Sequence, residues 1–98
     1  MDFFCKLVAP RATFGQDMTP QEGALMQQHA VYWTGLMGRG HVTTFGVVGH
    51  PEGVFGIAVV TFDSMEDARA ATDADPVIQA NAGFRFEIYP MPFGAVRP

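Results

Sequence analysis

The sequence has 98 residues, of which 48% are hydrophobic and only 16% are charged. This length fits one small domain with a single core, and the composition is that of a globular chain. We therefore expect residues 1–98 to form a single domain. The formal net charge is −4, and the six Lys and Arg residues are scattered along the chain. Because nucleic-acid binding requires clustered positive charge against the phosphates, we do not expect nucleic acid as a partner.

The sequence also gives no sign of export or of insertion in a membrane. Its apolar runs are shorter than the ~20 residues that span a bilayer, and its first residues lack the features of a signal peptide. Cys5 is the only cysteine, so no internal disulfide can form. A cytoplasmic protein is predicted. Since Cys5 lies within an apolar run, we expect a buried hydrophobic residue there and not a nucleophile.

A strand and a long helix are predicted in the first part of the chain. The apolar run Phe3–Ala9 indicates a buried strand, and Arg11–Met18 indicates a loop. The motif Thr19-Pro20-Gln21-Glu22 then begins a helix, because it combines an N-cap threonine, a first-turn proline and a capping-box glutamate. This helix is expected to run to about Met37 and to end at Gly38-Arg39-Gly40.

Two rows of residues repeat at helical spacing along this predicted helix. The row that we expect to face the core is entirely apolar: Met26, Ala30, Trp33 and Met37. The neighbouring row includes His29 and Tyr32 between two leucines. These two side chains are expected at the edge of the core, partly exposed, where a functional polar group would lie.

The next elements are predicted to form a hairpin. His41–Gly49 and Val54–Phe62 are rich in β-branched and aromatic residues, and His50-Pro51-Glu52-Gly53 supplies the turn between them. Gly46 and Gly56 interrupt these strands, so they indicate bulges or the close approach of another part of the backbone.

A second helix and a last strand complete the predicted elements. Ser64 caps an alanine-rich helix that reaches about Ala74, and Asp75–Ala80 forms a short further turn. Apolar and polar residues alternate in the strand Phe84–Tyr89, so its two faces meet different environments. The tail Pro90–Pro98 is expected to be extended.

The predicted order is β-α-β-β-α-β, which indicates an α+β fold of the ferredoxin-like type. Its four-stranded antiparallel sheet would carry both helices on one face, because the crossovers are right-handed. The other face of the sheet would then be uncovered. In a chain this apolar, a second copy is the simplest cover, so a homodimer is predicted.

Several motifs together suggest a family. The first helix carries a histidine near its middle, Phe62-Asp63-Ser64 leads into an alanine-rich helix that ends Ala74-Asp75-Pro76, and Pro92-Phe93 follows the last strand. Over nearly the whole chain this pattern resembles the YciI-like (YCII-related) proteins. The resemblance implies a dimeric α+β barrel and a His–Asp active site, with His29 and Asp75 at the matching positions.

A histidine paired with a carboxylate is held in one tautomer, and its free ring nitrogen serves as a general acid or base. His29 and Asp75 are therefore the candidate catalytic residues. Asp75 also precedes a proline, a position typical of a helix N-cap, so a purely structural role is the alternative for this residue. Asp73 is the alternative partner of the histidine. For substrate binding the candidates are Tyr32, as a hydrogen-bond donor, and Arg11, which could steer an anion.

No metal is predicted, because the chain lacks the paired Cys and His spacing of a zinc site, and a histidine–carboxylate pair needs no organic cofactor. We therefore expect a cofactor-independent enzyme of lyase, isomerase or hydrolase type that acts on a small aromatic or cyclic substrate. Two alternatives stay open. The first is a non-catalytic ligand-binding or assembly module, and the second is a cofactor-free oxygenase on the same barrel.

Overall fold

The computed structural model describes all residues from 1 to 98 and contains four strands and four helices. In chain order these are β1 Asp2–Val8, α1 Phe14–Asp17, α2 Pro20–Gly38, β2 Val42–Val48, β3 Phe55–Thr61, α3 Met65–Asp73, α4 Pro76–Gln79 and β4 Arg85–Met91. Apart from the two short helices α1 and α4, the order is β-α-β-β-α-β. The predicted ferredoxin-like arrangement is confirmed.

The four strands form one antiparallel sheet in the order β2-β3-β1-β4. In the central strand β1, Phe3, Cys5 and Leu7 are buried, whereas the residues between them are half-buried. This alternation shows that one face of the sheet is covered and the other is open. Trp33 of α2 and Ala68 of α3 pack in the same core cluster as Phe3 and Cys5, so the helices lie on the covered face.

Helix α2 has the termini that the sequence predicts. The Thr19 hydroxyl accepts a hydrogen bond from the Glu22 amide at 3.2 Å, and the Glu22 carboxylate accepts one from the Thr19 amide at 2.9 Å. At the other end, the Gly40 amide donates to the Met37 carbonyl and the His41 amide to the Leu36 carbonyl. Gly40 has a φ of +84°, which completes a Schellman motif.

Two boundaries differ from the predictions. Phe14–Asp17 is a short helix within the segment that was predicted to be a loop, and Phe14 is buried there. Strand β4 continues to Met91, although Pro90 was placed in the extended tail. The proline is tolerated because β4 is an edge strand, and an edge residue can do without an outward N–H donor.

Two details of packing also differ from the predictions. Ala30 and Met37 are exposed, so the core face of α2 is rotated toward His29, Trp33 and Leu36. The irregularity in the hairpin lies between Val42 and Thr44 and not at either glycine.

Cys5 is fully buried, as predicted, and burial raises the pKa of its thiol to about 11. The thiolate needed for nucleophilic chemistry is therefore disfavoured at this position. None of the helices combines the length and the hydrophobicity that crossing a bilayer requires.

Candidate active site

The Asp75 carboxylate is the centre of a buried hydrogen-bond cluster. Asp75 is fully buried at the N-cap of α4, where Asp-Pro begins the helix. Its Oδ1 accepts a hydrogen bond from the Val77 amide at 2.9 Å. Its Oδ2 accepts one from the Trp33 indole N–H at 2.6 Å and lies 2.6 Å from His29 Nδ1. Asp75 is thus a helix cap and the partner of His29 at once, so the two interpretations of the sequence are compatible.

His29 and Trp33 reach this carboxylate from the same face of α2, because they are one helical turn apart. An indole N–H is only a donor, so Asp75 Oδ2 acts as an acceptor toward Trp33. The same oxygen then accepts from His29, which assigns the ring proton to Nδ1. In this tautomer Nε2 carries a lone pair and is the nitrogen left for a ligand.

His29 lines a cleft of about 460 Å³ between α2, the β2–β3 hairpin and α1. Eleven of the fifteen lining residues are hydrophobic, and the other four are His29 and three glycines. His29 is therefore the only residue of the cleft wall with a polar side chain. The side chain is 18% exposed, whereas that of Asp75 is completely buried. The geometry presents one titratable ring to an apolar space and keeps its partner away from water.

Tyr32 does not line this cleft, which differs from its predicted role in substrate binding. Its hydroxyl donates a hydrogen bond of 2.6 Å to the Ala71 carbonyl, and its ring packs edge-on against Trp33. Burial, reinforced by the charge of Asp75, raises the pKa of the Tyr32 hydroxyl. The hydrogen bond of Tyr32 therefore links α2 to α3 beside the buried cluster.

Arg11 is also engaged elsewhere. Its guanidinium donates to both carboxylate oxygens of Glu22 at 2.8 Å, and its Nε donates to Asp17 at 2.7 Å. The hydrogen bond from Arg11 is the main reason that the pKa of Glu22 falls to about 2. Arg11 borders an adjoining depression, which shares three apolar residues with the cleft of His29, and does not line the cleft itself. It is therefore not a free cation beside His29.

Asp73, the alternative partner of the histidine, is exposed at the end of α3. The structure brings Asp75, and not Asp73, to His29. The other histidines are likewise outside the cleft. His41 stacks on Phe62, and the His50 ring accepts a hydrogen bond from the Glu52 amide. No group of three or more His, Cys, Asp and Glu side chains is arranged to hold a metal ion.

Trp33 is the member of the site that sequence reasoning missed. It was assigned to the apolar core row, and its ring is indeed buried. Its position four residues after His29 was the available signal, because residues at this spacing share one helix face. A buried indole also usually finds an acceptor for its N–H.

Comparison with known proteins agrees with this fold. The model of the YCII-related domain family matches residues 6–92 of the chain. No curated protein matches the sequence significantly. Among solved structures, 5-chloro-2-hydroxyhydroquinone dehydrochlorinase from Burkholderia phenoliruptrix, in complex with 2,5-dihydroxybenzoquinone, is similar with a TM-score of 0.60. The two chains are 14% identical, and the match covers 96% of each. The family match spans most of the chain, which therefore belongs to the YCII-related domain family.

Proposed function

We propose that this protein is a cofactor-independent enzyme in which His29 is the general acid or base and Asp75 orients it. The observation that carries this proposal is the position of His29. Its Nδ1 is bound by a fully buried carboxylate, and it is the only polar side chain that lines an apolar cleft. A positioned histidine of this kind is suited to proton transfer near neutral pH.

The size and lining of the cleft support a small ring-shaped substrate. A volume of about 460 Å³ is in the range of small-molecule sites, and aromatic and aliphatic walls favour a planar ring. His29 Nε2 would remove or return a proton of this ring, which is the step shared by eliminations and isomerisations. The similar dehydrochlorinase, with a quinone bound, supports a lyase reaction in particular.

The proposal is tested by turnover of a panel of hydroxylated and halogenated ring compounds. His29→Gln, which keeps a polar side chain of similar length, should lower turnover by about 10²–10⁴-fold. His41→Gln is the matched control, because His41 lies outside the cleft and should leave turnover unchanged. Equal turnover in His29→Gln and in the wild type would refute the proposal.

A ligand-binding module is the second candidate, and the single polar side chain of the cleft favours it. Such a module needs no further catalytic group around its ligand. A binder should gain thermal stability with its ligand and release it unchanged, whereas an enzyme should convert it.

Oxygen uptake during turnover would instead indicate the cofactor-free oxygenase.

We also propose that the protein acts as a cytoplasmic homodimer. The open face of the sheet carries apolar side chains in register on neighbouring strands, including Phe4, Val8 and Val59, which supports a second copy as the cover. The lone thiol of Cys5 is compatible with a reducing compartment. Light scattering should give twice the mass of the chain, and Val59→Lys should shift the protein toward monomer. A wild-type protein that is monomeric at high concentration would refute the dimer.

A further inference from the structure

The charge content of the cleft restricts the substrate more narrowly than its size does. No Lys, Arg, Asp or Glu lines the cleft, and the only side chain there that can carry a charge is His29. A carboxylate or phosphate that entered this space would lose water and meet no fixed counter-charge, which is strongly unfavourable. We propose that the substrate is a planar hydroxylated ring that is uncharged when it enters and that carries no carboxylate or phosphate group. This inference rests on the proposed function of His29 and deepens it.

The nearest basic side chains do not supply the missing charge. Arg11 borders only the adjoining depression, and its guanidinium is paired with the carboxylates of Glu22 and Asp17. Lys6 is adjacent to Leu7 on β1, and side chains alternate between the faces of a strand. Leu7 lines the cleft and Lys6 does not: Lys6 borders the adjoining depression, where its ammonium lies 4.5 Å from the centre of the Phe55 ring, which separates it from the cleft.

The proposed proton transfer also fits a neutral ring, because His29 is the only side chain of the cleft that can carry a charge. His29 Nε2 takes the proton of a ring hydroxyl, the O–H bond breaks, and its electron pair stays on the oxygen and spreads into the ring. The imidazolium that forms carries one positive charge, which offsets the charge of the new ring anion, while Asp75 stays ionised as it was before the transfer. The net charge of the site is therefore unchanged by this step, and no second cation lines the cleft to meet an additional carboxylate.

A binding experiment with a matched pair of ligands tests this inference. Hydroquinone and its carboxylated analogue gentisate share the same dihydroxylated ring and differ by one charge. Each is titrated into the wild-type protein at neutral pH while the ring resonances of His29 are followed by NMR. Hydroquinone should shift these resonances saturably, and gentisate should bind at least about tenfold more weakly. Gentisate binding as tightly as hydroquinone, or no saturable shift with hydroquinone, would overturn the inference.

The same inference can be tested by changing the charge of the cleft wall and not that of the ligand. Ala30 is an exposed residue of α2 that lines the cleft, so Ala30→Lys introduces a cation there without disturbing the core. This variant should narrow the preference for hydroquinone over gentisate by about tenfold, since a nearby ion pair stabilises the bound carboxylate. The matched control is Ala24→Lys, which adds the same charge to an exposed position of α2 outside the cleft. An unchanged preference in Ala30→Lys, or an equal change in both variants, would contradict the assigned cause.

The two proposals fail in different ways. Loss of the charge preference with turnover still dependent on His29 would remove the substrate class and leave the acid–base function. Turnover that survives His29→Gln while neutral rings bind best would remove the acid–base function and leave the charge selectivity.

Discussion

Two charged clusters link different elements of this protein, and they differ in the hydrogen-bonding groups that they leave free. The exposed cluster links Arg11 to Asp17 and Glu22, which accept four hydrogen bonds from the guanidinium, three of them at carboxylate oxygens. The buried cluster links Asp75 to Trp33 and His29 and leaves one ring nitrogen of His29 for a ligand. A charged or titratable group is thus a candidate for chemistry when its partners leave one of its donor or acceptor atoms free, and its charge alone is not sufficient.

The two clusters also differ in burial, and therefore in how much each should contribute to the stability of the fold. Asp75 has no contact with solvent, so the loss of a partner cannot be compensated by water. Asp17 and Arg11 are 51% and 34% exposed, and Glu22 is 13% exposed, so solvent reaches this cluster and screens its interactions more than those of Asp75. Changes in the buried cluster should therefore have larger effects on stability and activity than changes in the exposed one.

The largest effect is expected for Asp75→Asn. The amide cannot accept from His29 and Trp33 as the carboxylate does, which leaves buried donors unpaired. The free energy of unfolding should fall by roughly 3 kcal/mol, as measured by urea denaturation. Asp73→Asn is the matched control, because this exposed aspartate lies two residues earlier and should change stability by less than about 0.5 kcal/mol. Equal effects of the two substitutions would mean that the buried cluster is not as described.

Trp33→Phe should have the next largest effect. It removes the N–H donor to Asp75 and some buried volume, so a loss of about 2 kcal/mol in unfolding free energy is expected. Turnover should fall as well, because the Asp75 carboxylate that orients His29 loses the donor that holds it in place.

Tyr32→Phe is the matched control. It removes a hydrogen bond to the Ala71 carbonyl, at a cost of about 1 kcal/mol in unfolding free energy, and should leave turnover unchanged. A larger loss of turnover in Tyr32→Phe would show that the wrong neighbour of His29 has been assigned.

The exposed cluster should be visible mainly in the dependence of stability on pH. Because the pKa of Glu22 is held at about 2 in the folded protein, below its usual 4.5, this carboxylate stabilises the fold above about pH 4.5. That contribution is lost as the pH falls toward 2. Glu22→Gln should therefore make acid unfolding less steep in this range. The control Glu66→Gln changes an exposed acid in the first turn of α3 and should leave the steepness closer to that of the wild type. A wild-type slope in Glu22→Gln would refute the assigned ion pair.

The fold was predictable because its signals are local. The caps at Thr19 and Ser64 and the alternation within β4 each depend on a few neighbouring residues, and all appear in the structure. Helix α1 was missed because four residues contain too little periodicity to be recognised. Its position depends instead on a tertiary contact, in which the ring of Phe14 packs edge-on against that of Phe84.

The candidate site was predictable only in part, since its members are far apart in the sequence. His29 and Asp75 are separated by 46 positions, and their pairing came from the family resemblance and not from spacing. The role of Trp33 depends on a partner 42 positions away, whereas Arg11 pairs with residues 6 and 11 positions later, at spacings that no helix or strand pattern indicates. The row of α2 that faces the core was also misplaced, because ideal helical spacing does not tell which side a sheet will cover.

The tautomer of His29 tests the central claim most directly. Nitrogen-detected NMR of a neutral histidine ring distinguishes a proton on Nδ1 from one on Nε2. We predict that the wild-type protein carries the proton on Nδ1, and that Asp75→Asn loses this preference. A wild-type ring with its proton on Nε2 would contradict the account, because the nitrogen assigned to proton transfer would then be occupied.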